Sequence, residues 1–226
     1  MIKSQKNKTQ GLMDISHFRK EYTLTGLDRE SLENCPFQQF EVWFKQAQVA
    51  KILEPNAMSL ATVSKDSQPS VRTVLLKIFD TKGFVFFTNY NSDKAKDIGQ
   101  SPNAALLFPW IGLERQVRIS GSIEKISSEE SYDYFKSRPH GSQYGAWASP
   151  QSQEIYSRDF LSQELESVKN KFKEDQIPLP DFWGGYRVVP KRFEFWQGRS
   201  NRLHDRFVYE KESQKSSVWK IYRIAP

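Results

Sequence analysis

Apolar residues recur at helical spacing in two stretches of the chain. After Pro36 they occupy every third or fourth position, at Phe37, Phe40, Phe44 and Ala47, and this pattern predicts an amphipathic helix that covers one face of a sheet. A second stripe, at Leu161, Leu165, Val168 and Phe172, predicts a longer helix around residues 157–174. Serine caps indicate two further helices, one over residues 92–98 and one that opens with the capping box Ser127–Glu130 and runs to about Arg138.

Strand-like segments separated by tight turns fill most of the remaining chain. Alternating or continuous apolar runs predict strands at 57–63, 71–79, 84–88, 103–108, 115–123, 186–189, 193–197, 202–206 and 219–224. These strands do not alternate with helices in the regular way that a parallel doubly wound sheet requires. The pattern therefore predicts a mainly β fold with flanking helices, built as a largely antiparallel barrel.

The chain shows no internal repeat and no linker that would divide it. Residues 1–16 are polar, lysine-rich and aperiodic, which predicts a mobile N-terminal arm, and residues 17–226 are expected to form a single domain. Cys35 stands alone, which excludes an internal disulfide and fits a reducing compartment. Neither a membrane-length apolar run nor a signal-peptide pattern is present, so a cytoplasmic location is expected.

Charge and motifs exclude several classes of chemistry. A net charge of +6 invites a nucleic-acid interpretation, but the 33 basic residues are scattered among 27 acidic ones without a basic block. Neither common glycine-rich phosphate loop occurs, and there is no Gly-x-Ser-x-Gly elbow. The three histidines, His17, His140 and His204, are isolated, so no metal site is predicted. Any bound phosphate must be held by side chains on strands and turns.

Two groups of side chains could bind anions. Arg72 and Lys77 interrupt an otherwise apolar strand, and a charge there costs several kcal/mol unless it has an anionic partner or reaches water. A separation of five places them on opposite faces of a regular strand. Tyr134 and Arg138 share one face of the capped helix, and Ser142 in the following loop could join them on a second phosphate. A surface tyrosine that stacks on an arginine is the alternative.

The segment 193–207 combines aromatic, basic and histidine residues. Its first half reads as a strand that Gly198 ends, and Arg202, His204 and Arg206 would then share one face of a second short strand. Such a row can bind an anion next to a site of proton or hydride transfer. The alternative is a solvated edge strand, since charged rows usually face water. Gln116, Gln151 and Ser152 offer polar groups suited to the edge of a heteroaromatic ring.

Ten segments in order resemble the pyridoxine (pyridoxamine) 5'-phosphate oxidases, flavin enzymes of vitamin B6 metabolism. They are Arg72–Lys77, Phe87–Asn89, Leu107–Trp110, Glu114–Val117, Ser137–Pro139, Gly145–Trp147, Pro178–Pro180, Phe182–Tyr186, Glu194–Gly198 and Arg202–Arg206. The match runs from about Phe18 to the terminal Arg223–Pro226, and its last two motifs are together highly specific.

The resemblance implies an FMN-binding split β-barrel that forms a homodimer with FMN at the subunit interface. By motif position, it implies FMN contacts from Arg72, Lys77, Phe87, Thr88, Lys94, Gln116, Gln151, Ser152, Trp196 and Arg206, some of them supplied by the second subunit. It likewise implies contacts to the phosphorylated B6 vitamer from Arg19, Tyr22, Lys77, Tyr134, Arg138, Ser142, Arg202 and His204. Arg202, His204 and Lys77 would be catalytic. The implied reaction moves hydride from C4' of the vitamer to the flavin, which O2 then reoxidises.

Three alternatives and one departure from the family pattern stay open. A phenazine-type flavin oxidase would lose Tyr134, Arg138, Ser142 and Arg202, all of which are present. A non-catalytic pyridoxal phosphate carrier would lack flavin, and a nucleic-acid-binding barrel would need basic runs interleaved with aromatics. The family usually reads Ser-Arg-Lys-Ala where this chain has Asp93 before Lys94. Weaker FMN retention is expected, whether Asp93 faces the phosphate or points to solvent from a helix start.

Overall fold

The computed structural model describes residues 15–18, 20–172, 176–211 and 218–226. Within these residues the chain forms five α-helices: α1 (Pro36–Val49), α2 (Asp93–Gln100), α3 (Ser128–Ser137), α4 (His140–Ala148) and α5 (Arg158–Lys171). It also forms nine strands: β1 (Ala57–Val63), β2 (Pro69–Leu75), β3 (Ile78–Asp80), β4 (Gly83–Asn89), β5 (Asn103–Trp110), β6 (Arg115–Lys125), β7 (Trp183–Gln197), β8 (Asp205–Lys211) and β9 (Trp219–Arg223).

All nine strands belong to one antiparallel sheet. Its main path runs β2-β1-β5-β6-β7-β4-β3, and β8 extends from β7 to carry β9. The two ends of this path, β2 and β3, are consecutive in the chain and are joined only by Leu76 and Lys77. Because so short a link cannot cross a flat seven-stranded sheet, the sheet must curl until its edges meet. The predicted antiparallel barrel is confirmed.

Helix α1 packs its predicted apolar face into the curled sheet. Phe40 is fully buried, and its ring meets Phe84 and Phe108 at centroid distances of 4.9 Å each. Pro36 occupies the first turn of the helix, as the sequence predicts. A second, smaller core lies under α3, α4 and α5 and is built around Phe135, Val168 and Trp183. The main core supports the barrel, and the smaller one supports the helices that border the site.

The predicted strand 71–79 is in fact two strands. β2 ends at Leu75, and the chain then crosses to the other edge of the sheet, where the Lys77 N–H donates to the Val85 carbonyl at 2.9 Å. Leu76 is buried during this crossing, so the apolar run continues although the strand does not. The inference that Arg72 and Lys77 occupy opposite faces of one strand is therefore wrong.

The predicted strands 186–189 and 193–197 form one long strand, β7. Pro190 lies where the β6–β7 register shifts, opposite Gly121, and a proline can be accommodated at such a bulge. A side chain at Gly121 would place its Cβ 2.0 Å from the Val189 carbonyl oxygen. Close approach of the two backbones therefore requires glycine on the partner strand.

The predicted strand 202–206 is wrong at its start. Residues Ser200–Arg202 form a 3-10 turn in which Asn201 and Arg202 have φ values of 55° and 61°, and β8 begins only at Asp205. Arg202 and His204 therefore precede the strand, and the row that they were expected to form with Arg206 does not exist. A left-handed backbone at two successive residues leaves no periodic signal in the sequence.

All four predicted helices form, although the predicted cap at Ser92 does not, and one further helix was missed. The capping box at Ser127 is formed, α5 reaches Lys171, and α2 begins after Ser92, whose hydroxyl donates to the Asn89 carbonyl instead of capping. Helix α4 lies where a loop was predicted. Gly141 and Gly145 disfavour a helix there, and burial of Tyr144 and Ala148 overrides that preference.

Residues 1–14 of the predicted mobile arm, like 173–175, lie outside the described residues. No described helix is both long and apolar enough to cross a membrane.

Candidate active site

A cavity of about 740 Å³ opens where β2 and β4 meet α2, α3 and α4. Nine of the residues predicted for the site line it: Arg72, Lys77, Phe87, Thr88, Lys94, Tyr134, Arg138, Ser142 and Gln151. They come from segments far apart in sequence, which only the curled sheet and the helical layer bring together. Asn89, Gly145 and Trp183 also line it and were not predicted as ligands.

Arg72 and Lys94 form a cationic end of the cavity. Arg72 Nη1 donates to Thr62 Oγ1 at 2.7 Å and to the Leu60 carbonyl at 3.1 Å, and Asp97 lies 3.8 Å from Nη2. Burial lowers the pKa of Arg72, and the carboxylates of Asp97 and Asp93 partly oppose this effect. These contacts fix the guanidinium, which also lines the cavity.

Lys94 is buried beside two neutral acceptors. Its Nζ lies 3.3 Å from Thr88 Oγ1 and 3.4 Å from Gln151 Oε1, and the Thr88 hydroxyl donates to Gln151 at 3.0 Å. Among the described residues, no carboxylate forms a salt bridge with Lys94. Burial lowers the pKa of Lys94, Arg72 lowers it further, and Asp93 partly opposes both. Two adjacent, incompletely neutralised cations suit a phosphate group.

Arg138 forms a second cationic centre in the same cavity. Its guanidinium carbon lies 4.6 Å from the centroid of the Trp183 ring, and its Nη1 is buried without a hydrogen-bond partner. Burial lowers the pKa of Arg138, and Tyr134 partly opposes this. A buried guanidinium N–H without an acceptor is costly, so this atom calls for an anionic ligand oxygen.

Aromatic rings form the wall next to Arg138. Phe87 stacks on Tyr134 with centroids 3.8 Å apart and an interplanar angle of 19°. The Trp183 ring lies nearly parallel to both, 5.5 Å from Phe87 and 6.3 Å from Tyr134. Ser142, on α4, and the exposed Lys77 complete this side of the cavity. The cavity can hold a flat, anionic ligand against these rings.

The remaining predicted residues lie elsewhere in the chain. Gln116, Trp196 and Arg206 are register neighbours across β6, β7 and β8. None of them lines the cavity, and neither do Ser152, Tyr22, Arg202 and His204. Arg19 lies outside the described residues. Within one chain the cavity therefore contains only part of the predicted set, and Gln116, Trp196 and Arg206 form a group away from it.

His204 lies in an aromatic cluster with Trp196 and Tyr22. Its ring centroid is 4.6 Å from that of Trp196 and 5.7 Å from that of Tyr22. The Arg199 N–H donates to His204 Nδ1 at 3.1 Å, so the neutral ring carries its proton on Nε2. Burial and the charge of Arg202 lower the pKa of His204, and Asp205 partly opposes them. His204 is therefore a neutral donor at pH 7.

Arg206 is engaged by a buried acid that sequence reasoning missed. Its Nε and Nη2 donate to Glu194 Oε1 at 3.0 and 2.7 Å, and its Nη1 donates to the Ala225 carbonyl at 2.8 Å. Glu194 is 1% exposed and also pairs with Arg118 and Arg192. The sequence could have indicated this ion pair, because Glu194 lies between Phe193 and Phe195 in an aromatic strand and a buried charge needs oppositely charged partners.

Comparison with known proteins agrees with this geometry. Residues 44–172 match the family model described as pyridoxamine 5'-phosphate oxidase. Residues 183–226 match the one described as the pyridoxine 5'-phosphate oxidase C-terminal dimerisation region. The chain belongs to the pyridoxamine 5'-phosphate oxidase family. The second match contains Trp196, His204 and Arg206, the residues that do not reach the cavity of their own chain.

Members of the family resemble the chain over nearly its whole length. The protein named pyridoxine/pyridoxamine 5'-phosphate oxidase from Crocosphaera subtropica is 59% identical over 214 residues, which are 95% of this chain and 100% of that one. Its namesake from Aliarcobacter butzleri is 58% identical with the same coverage. PhzG from Burkholderia lata, solved with tetrahydrophenazine-1-carboxylic acid, is 26% identical and superposes with a TM-score of 0.83 over 92% of this chain and 100% of its own.

Proposed function

We propose that this protein is an FMN-dependent oxidase that converts pyridoxamine 5'-phosphate or pyridoxine 5'-phosphate to pyridoxal 5'-phosphate, with O2 reduced to H2O2. The observation that carries the proposal is the pair of cationic centres in one cavity, Arg72 with Lys94 and, separately, Arg138. A phosphorylated flavin and a phosphorylated vitamer need two such centres. The relatives at 58–59% identity carry the name of this activity.

The residues of the cavity fit FMN. Arg72 and Lys94 would hold its phosphate, and Thr88, Gln151, Lys77 and Phe87 would contact the rest of the group. FMN, when bound, accepts a hydride from the substrate and passes the electrons to dioxygen. The exposed ammonium of Lys77 would favour negative charge on the reduced ring. It would also hold the vitamer close.

The vitamer's phosphate would be bound by Arg138, Tyr134, Ser142 and Lys77. One phosphate oxygen would then accept a hydrogen bond from the unpartnered Nη1 of Arg138. His204 would donate from Nε2 to the substrate's pyridine side, because its Nδ1 is held by the Arg199 N–H. Arg202 would orient the vitamer so that its C4' faces the hydride acceptor. Tyr22 and Arg19 would cover the bound vitamer.

The homodimer is part of the proposal. The second group would reach the cavity of the other subunit, since its members do not line their own: Gln116, Trp196, Arg206, Arg202 and His204. Ser152 follows Gln151 in the chain and would contact FMN beside it. Support comes from the match of residues 183–226 to a dimerisation region. A cytoplasmic location, expected from the lone Cys35, stays a prediction.

A phenazine-type oxidase is the second candidate because PhzG superposes on 92% of this chain. The presence of Tyr134, Arg138 and Ser142 around an unsatisfied guanidinium favours a phosphorylated substrate instead. The test is steady-state turnover of the purified protein with each vitamer and with tetrahydrophenazine-1-carboxylic acid. Formation of pyridoxal 5'-phosphate and H2O2 in equal amounts is expected from the vitamers. Turnover of the phenazine alone would contradict the proposal.

A further inference from the structure

The segment 20–27, here called the N-terminal strap, crosses the molecule beside Trp196 and His204. The N–H groups of Thr23 and Leu24 both donate to Glu114 Oε2, at 3.0 and 3.2 Å. Two further bonds fasten its ends: the Asn201 N–H donates to Glu21 Oε1 at 3.0 Å, and the Leu27 N–H donates to Asp205 Oδ2 at 3.0 Å. The strap is therefore tied to the same turns that carry Arg202 and His204.

Glu114 is unusual in both its burial and its backbone. Its side chain is 3% exposed, and its second oxygen pairs with the exposed Lys20 at 3.2 Å. Its φ of 54° lies in the left-handed region, where glycine or asparagine would be less strained. The turn itself therefore does not favour glutamate. A glutamate is tolerated at this left-handed position because its carboxylate accepts from three donors of the strap, the Thr23 and Leu24 N–H groups and the Lys20 ammonium.

Glu114 and Tyr22 meet across Gly198. The Gly198 N–H donates to the Glu114 carbonyl at 2.7 Å. A side chain at Gly198 would put its Cβ 2.8 Å from Tyr22 Cγ and 3.1 Å from Glu114 Cβ. On its other side the Tyr22 ring meets Trp196 and His204 edge-on, at 5.8 and 5.7 Å. The carboxylate, the strap and the histidine thus form one packed unit.

We propose that Glu114 is a positioning residue: it fixes the strap, and with it Tyr22, against the face formed by Trp196 and His204. The inference rests on the proposed function, in which Tyr22 and His204 contact the phosphorylated vitamer. Because the strap is already ordered before the substrate arrives, substrate binding does not include the loss of conformational entropy that ordering the strap would cause. Loss of the carboxylate weakens substrate binding and leaves FMN, held by Arg72 and Lys94, in place.

The substitution Glu114→Gln tests this with little change of shape. In the FMN-saturated enzyme we expect KM for pyridoxamine 5'-phosphate to rise about tenfold, with kcat and the FMN dissociation constant within about twofold of the parent. The matched control is Lys20→Ala, which removes only an ammonium that is 68% exposed and keeps both N–H bonds. It is expected to change KM less than about twofold.

A double-mutant cycle separates action through Tyr22 from a general effect on the fold. In a Tyr22→Ala background, Glu114→Gln is expected to raise KM by less than about twofold, because the residue through which it acts is gone. A full tenfold rise in that background would overturn the proposal. So would an unchanged KM in the single variant.

Amide hydrogen exchange supplies a readout that needs neither activity nor a variant. In the unmodified full chain, the Thr23 and Leu24 amides must exchange more slowly than that of Thr25, and Glu114→Gln, whose neutral carboxamide oxygen accepts more weakly, must reduce the difference. Equal exchange at all three in the unmodified chain would overturn the proposal even if the variant failed to fold. A chain that exchanges as expected but oxidises no vitamer would instead contradict the proposed function alone.

Discussion

Arg138 combines three features that single residues rarely share in a stable fold. It lies at the C-terminal end of α3, it covers the face of Trp183, and its buried Nη1 has no hydrogen-bond partner. An unsatisfied buried donor costs about 1–3 kcal/mol, a cost that bound phosphate removes. By contrast Arg72, which has acceptors on Thr62 and Ser70, is held in place before any ligand binds. In the proposed function, the two arginines would therefore bind different anions.

The first prediction concerns Arg138→Ala. Loss of a charged hydrogen bond to phosphate should weaken vitamer binding by about 2–4 kcal/mol while FMN content stays normal. Lys136→Ala, which removes an exposed cation from the same helix, is the matched control and should change neither. Equilibrium titration of vitamer into each holo-protein measures the effect. A variant that bound vitamer normally but purified without FMN would show that the assignment of the two centres is reversed.

At the scale of elements, helix α2 carries Lys94, which is proposed to hold the FMN phosphate. Asp93 is its first residue, its side chain is 67% exposed, and it pairs with Lys96 at 3.0 Å. Of the two expectations for this residue, the solvent-facing one is therefore correct. Lys94, the next residue, points inward to Thr88. Asp93 still acts at a distance, because its charge partly opposes the lowering by burial of the pKa values of both Arg72 and Lys94.

The second prediction is that Asp93→Arg tightens FMN binding. Because the site is exposed, we expect a gain of about 1 kcal/mol at low salt, and about half of it in Asp93→Asn, which removes the negative charge without adding a positive one. Titration of apo-protein by quenching of flavin fluorescence measures both. Riboflavin, which lacks the phosphate, is the control ligand and should bind all three proteins equally. Unchanged or weaker FMN binding in Asp93→Arg would exclude an influence of this residue on the phosphate.

Local patterns predicted the elements well and their junctions poorly. The α1 stripe and the Ser127 capping box are local signals, and both elements form as expected. The break after Leu75 and the left-handed turn at Arg202 depend on how the sheet closes, which no local period encodes. Helix α4 forms against the propensity of its glycines because its buried face packs on α5. The site's second group could be named from motifs, but its separation from the cavity required the fold.

At the scale of the whole molecule, we propose that one chain holds two incomplete halves of a site. The cavity side carries Arg72, Lys94 and Arg138, and the dimerisation region carries Trp196, His204 and Arg202. In a twofold dimer each half of one subunit can meet the other half of its partner. The strap fastened by Glu114 belongs to the second half. It would therefore act on the partner's substrate.

The third prediction follows from this sharing. Arg138→Ala and Arg202→Ala homodimers should each be nearly inactive with limiting vitamer, because every site carries one defect. After mixing and subunit exchange, half of the dimers are mixed and each of these has one intact site, so about a quarter of the parental activity should return. A mixture of Arg138→Ala with Lys77→Ala, two residues of the same cavity, is the control and should recover nothing. No recovery in the first mixture, once subunit exchange is verified, would mean that the site is built within one chain.

The most direct test of the central claim is the anaerobic flavin spectrum of the purified protein. FMN bound in the cavity should absorb in the flavin range, and pyridoxamine 5'-phosphate should bleach it without oxygen, with about one pyridoxal 5'-phosphate formed per flavin. Pyridoxamine without its phosphate should bleach it far more slowly, because Arg138 would have no anion to bind. Admission of O2 should restore the spectrum. A flavin that stays oxidised with the phosphorylated vitamers, or that both forms of pyridoxamine bleach equally fast, would contradict the account.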